Sequence, residues 1–276
     1  MKNIITTGSR GYLGSKLIKN LSEYKIYEIR RDGLYLFDNQ LCSDLDQIKL
    51  FLPVEQSYVF IHLAAYYSKD ELNLESKIIE SNLDFGKKVL LKLKHLKLEK
   101  IIYTNTMFNY YKDPEIRNLI YTKCKKNFSQ ELIDFSSRYN ILFDEIFLDN
   151  TFGGQDNRNK IVPTIIESIQ KDFPNPVLND VFINLTFYKD VVKRIKQSIS
   201  NELFETSSFV NTKSININSI YNFLLQYKQT DEVDKNILNF RNNDYLESMP
   251  KINHFGINLT PIHKELLKLL PDEQRE

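Results

Sequence analysis

Short apolar runs alternate with longer amphipathic segments through the first 150 residues. Apolar runs of strand length predict β-strands at 2–7, 25–29, 57–65, 100–106 and 141–149. Between them, apolar residues at helical spacing predict helices at 12–22, 76–98 and 118–138. Strands that alternate with helices in this way are typical of parallel βαβ units. The pattern therefore predicts an α/β fold, with a doubly wound parallel sheet covered by helices on both faces.

The alternation loosens after residue 150, where helical segments are joined by short strand-like pieces. No linker rich in Pro, Gly or Ser separates the two parts of the chain. We therefore predict a doubly wound domain over residues 1–150 and a smaller, interleaved C-terminal lobe over residues 151–276, packed on the first.

Charge and cysteine content narrow the class of protein. The 276 residues contain 37 Lys+Arg and 36 Asp+Glu, and this balance argues against a nucleic-acid-binding protein. No apolar run approaches the roughly 18 residues that span a bilayer, and the N-terminus lacks a signal-peptide core. The two cysteines, Cys42 and Cys124, have no partner at metal-ligand or CxxC spacing. We expect a cytoplasmic protein without disulfides or a metal site.

Glycine is scarce in the chain but clustered at one place. Of only 8 glycines, three follow the first predicted strand at the spacing Gly8-x-x-Gly11-x-x-Gly14 and lead into a helix. Such a turn brings bare backbone and a helix N-terminus to a pyrophosphate and lets the helix pack closely on the sheet. We predict a Rossmann-type dinucleotide site whose turn comprises Gly8, Ser9, Arg10, Gly11, Tyr12, Leu13 and Gly14.

The end of the second strand bears on the choice of cofactor. An NAD-specific site places a carboxylate there for the ribose 2′-hydroxyl, whereas this strand is followed by Arg30 and Arg31. An arginine can pair with a 2′-phosphate. Glu28 is a rival that we expect to lie inside the strand. We predict NADP(H) as the cofactor, with NAD(H) as the alternative.

The TGxxGxxG form with its GYLG ending resembles the extended branch of the short-chain dehydrogenases/reductases, which modify nucleotide-linked sugars. Three further segments agree with the resemblance: His62-Leu63-Ala64-Ala65, the Asn82 helix and Asp44-Leu45. The resemblance implies that Leu63, Ala64 and Ala65 flank the cofactor, that Asp44 and Leu45 contact the adenine, and that Asn82 helps to hold a catalytic lysine through water.

The reaction centre of that family is a Tyr-x-x-x-Lys pair on one helix and a Ser or Thr after the preceding strand. Tyr121 and Lys125 have this i,i+4 spacing, which places both side chains on one helical face. A lysine ammonium beside a phenol lowers its pKa, so Tyr121 can give its proton to a carbonyl oxygen. The resemblance puts Thr106 beside that oxygen and Lys125 on the nicotinamide ribose. A second such pair, Tyr12 and Lys16, we interpret as structural.

The residues after Thr106 restrict the chemistry. Family members that are 4,6-dehydratases have an acid and a base directly after the threonine, where this chain has Met107 and Phe108. The epimerase-reductases of the GDP-fucose type need a cysteine in this loop, and the chain has none between Cys42 and Cys124. Reduction of a ketone, oxidation of a hydroxyl, or a 4-epimerisation remains.

Residues 149–166 resemble the branch of CDP-abequose synthase-like 4-ketoreductases, as do 104–111 and, more loosely, 182–192. The resemblance implies that Asn150 lies near the sugar and that Arg158 and Lys160 hold its diphosphate, although a solvated basic loop would also explain these two residues.

We therefore predict an NADPH-dependent reductase of a nucleotide-diphosphate-linked 4-keto-6-deoxy or 3,6-dideoxy hexose, in surface-polysaccharide biosynthesis. The resemblance further implies a homodimer through the helices at 76–98 and 118–138. Two alternatives remain open, a nucleotide-sugar 4-epimerase with tightly bound NAD and a non-catalytic NADPH-binding regulator. The intact Tyr, Lys and Thr set argues against the regulator.

Overall fold

A computed structural model describes the chain in the ranges 2–36, 41–43, 48–176, 180–200, 206–209, 211, 213–230, 232–244, 246–247 and 259–270. The strands are β1 Asn3–Thr7, β2 Lys25–Arg30, β3 Gly33–Leu36, β4 Leu41–Ser43, β5 Ser57–His62, β6 Lys97–Thr106, β7 Leu142–Leu148, β8 Asn150–Phe152, β9 Phe182–Ile183, β10 Leu185–Phe187, β11 Ser207–Phe209, β12 Lys213–Asn216 and β13 Phe240–Asn242.

The α-helices are α1 Tyr12–Ile18, α2 Ile48–Phe51, α3 Glu71–Ile79, α4 Phe85–Leu93, α5 Pro114–Asn118, α6 Ile120–Tyr139, α7 Ile161–Gln170, α8 Tyr188–Ser200, α9 Ile217–Thr230 and α10 Ile262–Leu267. A π-helical turn, Glu80–Asp84, joins α3 to α4, and 3-10 turns lie at Met107–Tyr110 and Lys235–Ile237.

The central sheet has the strand order β11-β7-β6-β5-β1-β2-β3-β4. Strands β11 to β2 run parallel, whereas β3 and β4 continue the edge antiparallel. The chain moves from β1 to β2 on one side and returns to β5 on the other, so the carboxyl end of β1 faces a crevice between the two halves of the sheet. The predicted doubly wound α/β fold is confirmed.

Helices cover both faces of this sheet, as predicted. On one face α4 and α6 bury Val89, Leu93, Phe128 and Leu132 against strand residues such as Phe60 and Ile101. On the other face, α1 and α8 bury Leu17, Val191 and Ile195 against Ile4 and Ile102. The sheet is thus apolar on both sides, which explains why its inner strands are continuous apolar runs rather than alternating ones.

A smaller unit follows the sheet. It combines the parallel pair β10-β8 with the antiparallel strands β13-β12-β9. Its core is formed largely by α7, α9 and α10 and includes Ile165, Ile220, Phe223 and Leu266. Helix α8 and strand β11 come from the same part of the chain but pack on the main sheet. The C-terminal residues therefore contribute to both units, and a boundary at residue 150 stays a prediction.

All three helices predicted in the first 150 residues differ from the structure at their ends. The helix expected at 12–22 ends at Ile18. The helix expected at 76–98 begins at Glu71, passes through the π-helical turn and ends at Leu93. From Lys97 onward exposed and buried residues alternate, so this segment extends β6 instead. The helix expected at 118–138 is divided at Leu119, whose ψ of 141° separates α5 from α6. Across the described ranges, no helix is both long and apolar enough to cross a bilayer.

Candidate active site

An elongated cleft lies at the carboxyl ends of β1, β5, β6 and β7. Its first cavity, about 380 Å³, is enclosed on the far side by residues 148–151 and 158–163. A second cavity of about 420 Å³ opens beside β2 and shares Gly8, Gly11, Leu63 and Ala65 with the first. The two cavities thus meet over the glycine turn, as expected for a site that accommodates two linked nucleotides.

Most of the residues predicted from the sequence line this cleft. Those in the first cavity are Gly8, Gly11, Tyr12, Leu13, Gly14, Leu63, Ala65, Thr106, Tyr121, Lys125, Asn150, Arg158 and Lys160. Those in the second cavity alone are Ser9, Arg10, Arg30, Arg31 and Ala64. Asn82 lines neither cavity. Asp44 and Leu45 lie outside the described residues.

The glycine turn has no room for side chains at two of its positions. Gly8 has a φ of +73°, and a Cβ on it would lie 2.5 Å from the amide nitrogen of Ala64. A Cβ on Gly14 would lie 2.1 Å from the carbonyl oxygen of Gly8. The backbone of β1, the turn and α1 therefore pack in direct contact, and the turn presents bare backbone to the cleft.

The second cavity carries more positive than negative charge. Arg10, Arg30 and Arg31 line it together with one carboxylate, Asp32, which accepts a hydrogen bond from the hydroxyl of Tyr35. Arg31 donates to the hydroxyl of Ser81 at 2.5 Å. The sequence analysis did not single out Asp32, although an acidic residue just after the second strand is the signal that would have identified it.

The loop after β5 is fixed by two buried side chains. His62 Nδ1 lies 2.9 Å from the hydroxyl of Thr7, so it joins β5 to β1, and burial lowers its pKa to about 3. The side-chain amide of Asn82, in the π-helical turn, accepts from the N–H of Tyr66 and donates to the carbonyls of Tyr66 and Ile78. These contacts of Asn82 fix the loop and do not involve Lys125. The water-mediated role of Asn82 in holding Lys125 stays a prediction.

Tyr121, Lys125 and Thr106 all line the first cavity, as expected for Tyr121 and Lys125 from their spacing and for Thr106 from the resemblance. Thr106 ends β6, while Tyr121 and Lys125 lie one turn apart at the start of α6. The Thr106 side chain lies close enough to Tyr121 to lower its pKa by hydrogen bonding. Lys125 is 2% exposed, and its ammonium donates to the carbonyl of Thr104 at 2.6 Å and lies 4.3 Å from the ring centre of Tyr103.

The expected effect of Lys125 on Tyr121 is wrong for this arrangement. Burial raises the pKa of Tyr121 to about 12, and the hydrogen bond from Thr106 opposes this rise only in part. Burial also lowers the pKa of Lys125 to about 7. The reason is that both side chains lose hydration while the ammonium is directed at a backbone carbonyl and an aromatic ring.

The start of α6 is held by a residue that the sequence analysis missed. The carboxylate of Glu71, on α3, accepts hydrogen bonds from the N–H groups of Ile120 and Tyr121 at 2.7 and 3.0 Å. Leu119 precedes the helix and has no side-chain acceptor for these groups. Glu71 therefore caps the helix from a neighbouring element, and a carboxylate 50 residues away gives no local sequence signal.

Aromatic side chains form the wall of the cavity beside Tyr121. Tyr67 and Phe108 have ring centres 5.2 and 6.2 Å from that of Tyr121. Met107 is fully buried with Phe147, so neither residue that follows Thr106 brings an acid or a base to the site. Tyr67 lines the cavity but was not predicted from the sequence.

Arg158 and Lys160 differ in what they contact. The guanidinium of Arg158 forms two hydrogen bonds to Asp156, donates to the carbonyl of Thr151 and stacks 3.5 Å from the ring centre of Tyr12. The ammonium of Lys160 lies 4.1 Å from the ring centre of Tyr67. Burial lowers its pKa to about 8, with the charge of Arg158 acting in the same direction. Such a partly dehydrated cation favours an anionic ligand.

Asn150 lies at the start of β8 and lines the cavity, where its amide donates to Asp149 at 2.8 Å. Asp149 also accepts from the hydroxyl of Tyr111. Over the described ranges, no group of three or more His, Cys, Asp or Glu residues is arranged to hold a metal ion.

Comparison with known proteins finds similarity to enzymes that act on nucleotide-linked sugars. No family model matches the chain. The CDP-abequose synthase of Yersinia pseudotuberculosis is 23% identical over 215 residues, which cover 72% of this chain and 74% of the relative.

Two solved structures show the same fold. The UDP-glucose 4-epimerase of Thermotoga maritima with UDP-glucose has a TM-score of 0.76 at 16% identity, over 97% of both chains. The Bordetella bronchiseptica enzyme WbmH with NAD⁺ has a TM-score of 0.70 at 17% identity, over 97% of this chain and 96% of the other. The similarity to the curated relative confirms the resemblance that the motifs indicated.

Proposed function

We propose that this chain, an oxidoreductase of the extended short-chain dehydrogenase/reductase type, reduces a nucleotide-diphosphate-linked 4-keto-6-deoxy or 3,6-dideoxy hexose with NADPH. The 23% identity to a CDP-abequose synthase supports this substrate class, which belongs to the synthesis of surface-polysaccharide sugars. The observation on which the proposal mainly depends is that Thr106, Tyr121 and Lys125 line one cavity together with the glycine turn.

The residues of the cleft fit a nicotinamide nucleotide. The glycine turn leaves no space for a Cβ at Gly8 or Gly14, and the adjoining cavity has three arginines and one carboxylate. We expect the turn to hold the pyrophosphate, Lys125 the nicotinamide ribose, and Arg10, Arg30 and Arg31 a 2′-phosphate. When bound, this cofactor supplies the hydride that reaches the carbonyl carbon.

Tyr121 serves as the acid of the proposed reaction. Because its pKa is raised to about 12, its hydroxyl carries a proton throughout the neutral range. It donates this proton to the carbonyl oxygen, which becomes the product hydroxyl, and leaves a phenolate. Thr106 hydrogen-bonds to the same oxygen and to the phenolate, and the ammonium of Lys125 favours the developing negative charge.

The walls of the cavity suit a deoxygenated sugar. The rings of Tyr67 and Phe108 give an apolar surface next to Tyr121, which fits a methyl group better than a hydroxyl. Lys160 adds a partly dehydrated cation for the diphosphate. Arg158 already pairs with Asp156 and stacks on Tyr12. We therefore expect it to support the loop and to contribute less than Lys160 to binding of the diphosphate.

The test is turnover with NADPH and a set of nucleotide-linked 4-keto-6-deoxyhexoses. The wild type should oxidise NADPH, and Tyr121→Phe should abolish this without weakening NADPH binding. Tyr139→Phe, an exposed tyrosine at the opposite end of α6, is the matched control and should retain full activity. Equal turnover by the wild type and Tyr121→Phe would overturn the assignment.

A nucleotide-sugar 4-epimerase is the second candidate, because the Thermotoga maritima enzyme of the same fold is one and no residue at position 107 or 108 argues against it. Purified protein that carries bound NAD and interconverts two UDP-sugars without net oxidation would favour the epimerase. A chain that binds NADPH but converts neither class of sugar would be a regulator.

We further propose a homodimer in the cytoplasm, formed through α3, α4 and α6. Leu72, Leu91 and Ile133 are exposed on these helices, Leu72 to 92%. Light scattering at micromolar concentration should give about twice the mass of 32.7 kDa, and Leu91→Glu with Ile133→Glu should give the monomer. A monomeric wild type contradicts the proposal.

A further inference from the structure

A buried carboxylate that the proposed reaction does not use lies behind the catalytic residues. Glu145, on β7, is 5% exposed. Its Oε1 accepts hydrogen bonds from the amide of Asn105 at 2.7 Å and from the hydroxyl of Ser129 at 2.5 Å. A carboxylate is seldom buried unless it is paired, so this position calls for a physical reason.

The two partners of Glu145 belong to the two elements that carry the catalytic groups. Asn105 precedes Thr106 on β6, and its amide oxygen accepts the N–H of Thr106 at 2.7 Å. Ser129 lies one turn after Lys125 on α6. One carboxylate therefore connects the strand that ends in Thr106 with the helix that bears Tyr121 and Lys125.

The charge of Glu145 also acts on Lys125. Three titratable groups on neighbouring strands interact with Lys125. They are His62 on β5, Tyr103 on β6, whose ring the ammonium contacts, and Glu145 on β7. Burial keeps His62 neutral, because its pKa is about 3, and raises the pKa of Tyr103 well above its usual range. Of the three, Glu145 alone can be negative at neutral pH.

Opposing effects act on the pKa of Glu145. Burial raises its pKa, whereas the hydrogen bonds from Ser129 and Asn105 and the charge of Lys125 lower it. In return, the charge of Glu145 opposes the loss of the proton from the buried Lys125. Tyr110 also interacts with the carboxylate and stays neutral, because burial raises its pKa.

We propose that Glu145 is a positioning residue of the active site, which fixes Thr106 relative to α6 through Asn105 and Ser129 and favours the ammonium form of Lys125. Its effect on turnover rests on the proposed function, whereas its effect on Lys125 does not. Asp144, the preceding residue, faces the other side of the sheet and pairs with Arg194, so it provides a matched control.

The first experiment follows the protonation of Lys125 without any substrate. Protein labelled with ¹³C at lysine Cε is titrated by NMR, and the Lys125 signal is identified by its loss in Lys125→Met. Glu145→Gln retains the shape and an acceptor but removes the charge, so the Lys125 midpoint should fall by about one pH unit. Asp144→Asn should lower the melting temperature and leave the midpoint in place. An unchanged midpoint in Glu145→Gln overturns the proposal.

A second variant covers the case in which Glu145→Gln does not fold. Ser129→Ala removes one donor to the carboxylate and weakens its charged form, so the Lys125 midpoint should move in the same direction by a smaller amount. A midpoint that does not move, or that rises, contradicts the proposal.

The second experiment measures kcat/KM against pH with NADPH and the keto sugar. Its alkaline limb should move to lower pH in Glu145→Gln by the same amount as the NMR midpoint, because both report Lys125. If the wild type turns over no keto sugar at any pH, the proposed function fails while the NMR result still decides the role of Glu145. A limb that stays in place while the midpoint moves shows that Glu145 does not act on catalysis.

Discussion

Glu28 and Arg30 form an ion pair on one face of β2, with Nη2 of Arg30 2.5 Å from Oε2 of Glu28. The same carboxylate oxygen accepts from the Arg30 Nε and from the hydroxyl of Ser9 in the glycine turn. The guanidinium also stacks 3.8 Å from the ring centre of Tyr35. Glu28 thus lies inside the strand, as expected, and Arg30 is partly occupied in neutralising it.

Removing Arg30 alone should destabilise the protein. Arg30→Met leaves the buried charge of Glu28 without its partner, at a cost of about 3 kcal/mol in the free energy of unfolding. The double variant Glu28→Gln/Arg30→Met should recover most of this loss, because glutamine still accepts from Ser9 and no charge is left unpaired. Urea unfolding measures both. Additive losses in the double variant would show that the pair is not coupled.

The cofactor preference should depend on the arginines of the second cavity that lie outside this pair. Arg10 is exposed, and within the described residues Arg31 donates a hydrogen bond to the hydroxyl of Ser81. We expect the wild type to prefer NADPH over NADH at least tenfold in kcat/KM, a difference of about 1.4 kcal/mol. Arg10→Ala/Arg31→Ala should remove most of this preference and leave the NADH rate close to that of the wild type.

Arg138→Ala, an exposed arginine at the far end of α6, is the control for that experiment and should keep the preference. Equal use of both nucleotides by the wild type would show that the arginines do not select the 2′-phosphate, and Asp32 would then be the better candidate for a ribose contact.

Gly14 should not tolerate a methyl group. A Cβ there would lie 2.1 Å from the Gly8 carbonyl oxygen, and backbone atoms cannot move aside as a flexible side chain can. Gly14→Ala should therefore lower the free energy of unfolding by about 2 kcal/mol and weaken NADPH binding. Gly11→Ala, whose Cβ would meet its nearest neighbour at 3.1 Å, should destabilise less. Similar losses in both variants, by thermal or urea unfolding, contradict the packing argument.

His62 should make the protein less stable in mild acid. Its folded pKa of about 3 lies below the ordinary histidine pKa of 6.5, so below pH 6.5 the unfolded chain takes up a proton that the folded chain does not. Its contribution to stability is present above pH 6.5 and is lost as the pH falls toward 3. Between pH 7 and pH 5 this loss amounts to about 2 kcal/mol.

The variant His62→Gln removes this titration while retaining a partner for the Thr7 hydroxyl. The free energy of unfolding of the wild type, relative to that of the variant, should therefore fall by about 2 kcal/mol from pH 7 to pH 5. A difference that does not vary with pH would mean that His62 takes up a proton as readily in the folded protein as in the unfolded chain.

The sequence by itself predicted five of the eight strands of the central sheet, the glycine turn and the set Thr106, Tyr121 and Lys125. These features are local: an apolar run followed by three spaced glycines, or a tyrosine and a lysine four residues apart on a helix after a strand. Since the carboxyl ends of parallel strands meet at one edge of the sheet, local signals sufficed to bring the residues to one cleft.

Only the tertiary structure decided how the charges around this set are arranged. Glu71 caps α6 from 49 residues away, and Glu145 reaches Asn105 across 40 residues. Apolar periodicity predicts which face of an element is buried, but it does not tell which polar residue on a buried strand meets which partner. The pKa of Tyr121 depends on the same packing: the spacing predicted that Lys125 lowers it, whereas burial of both side chains raises it to about 12.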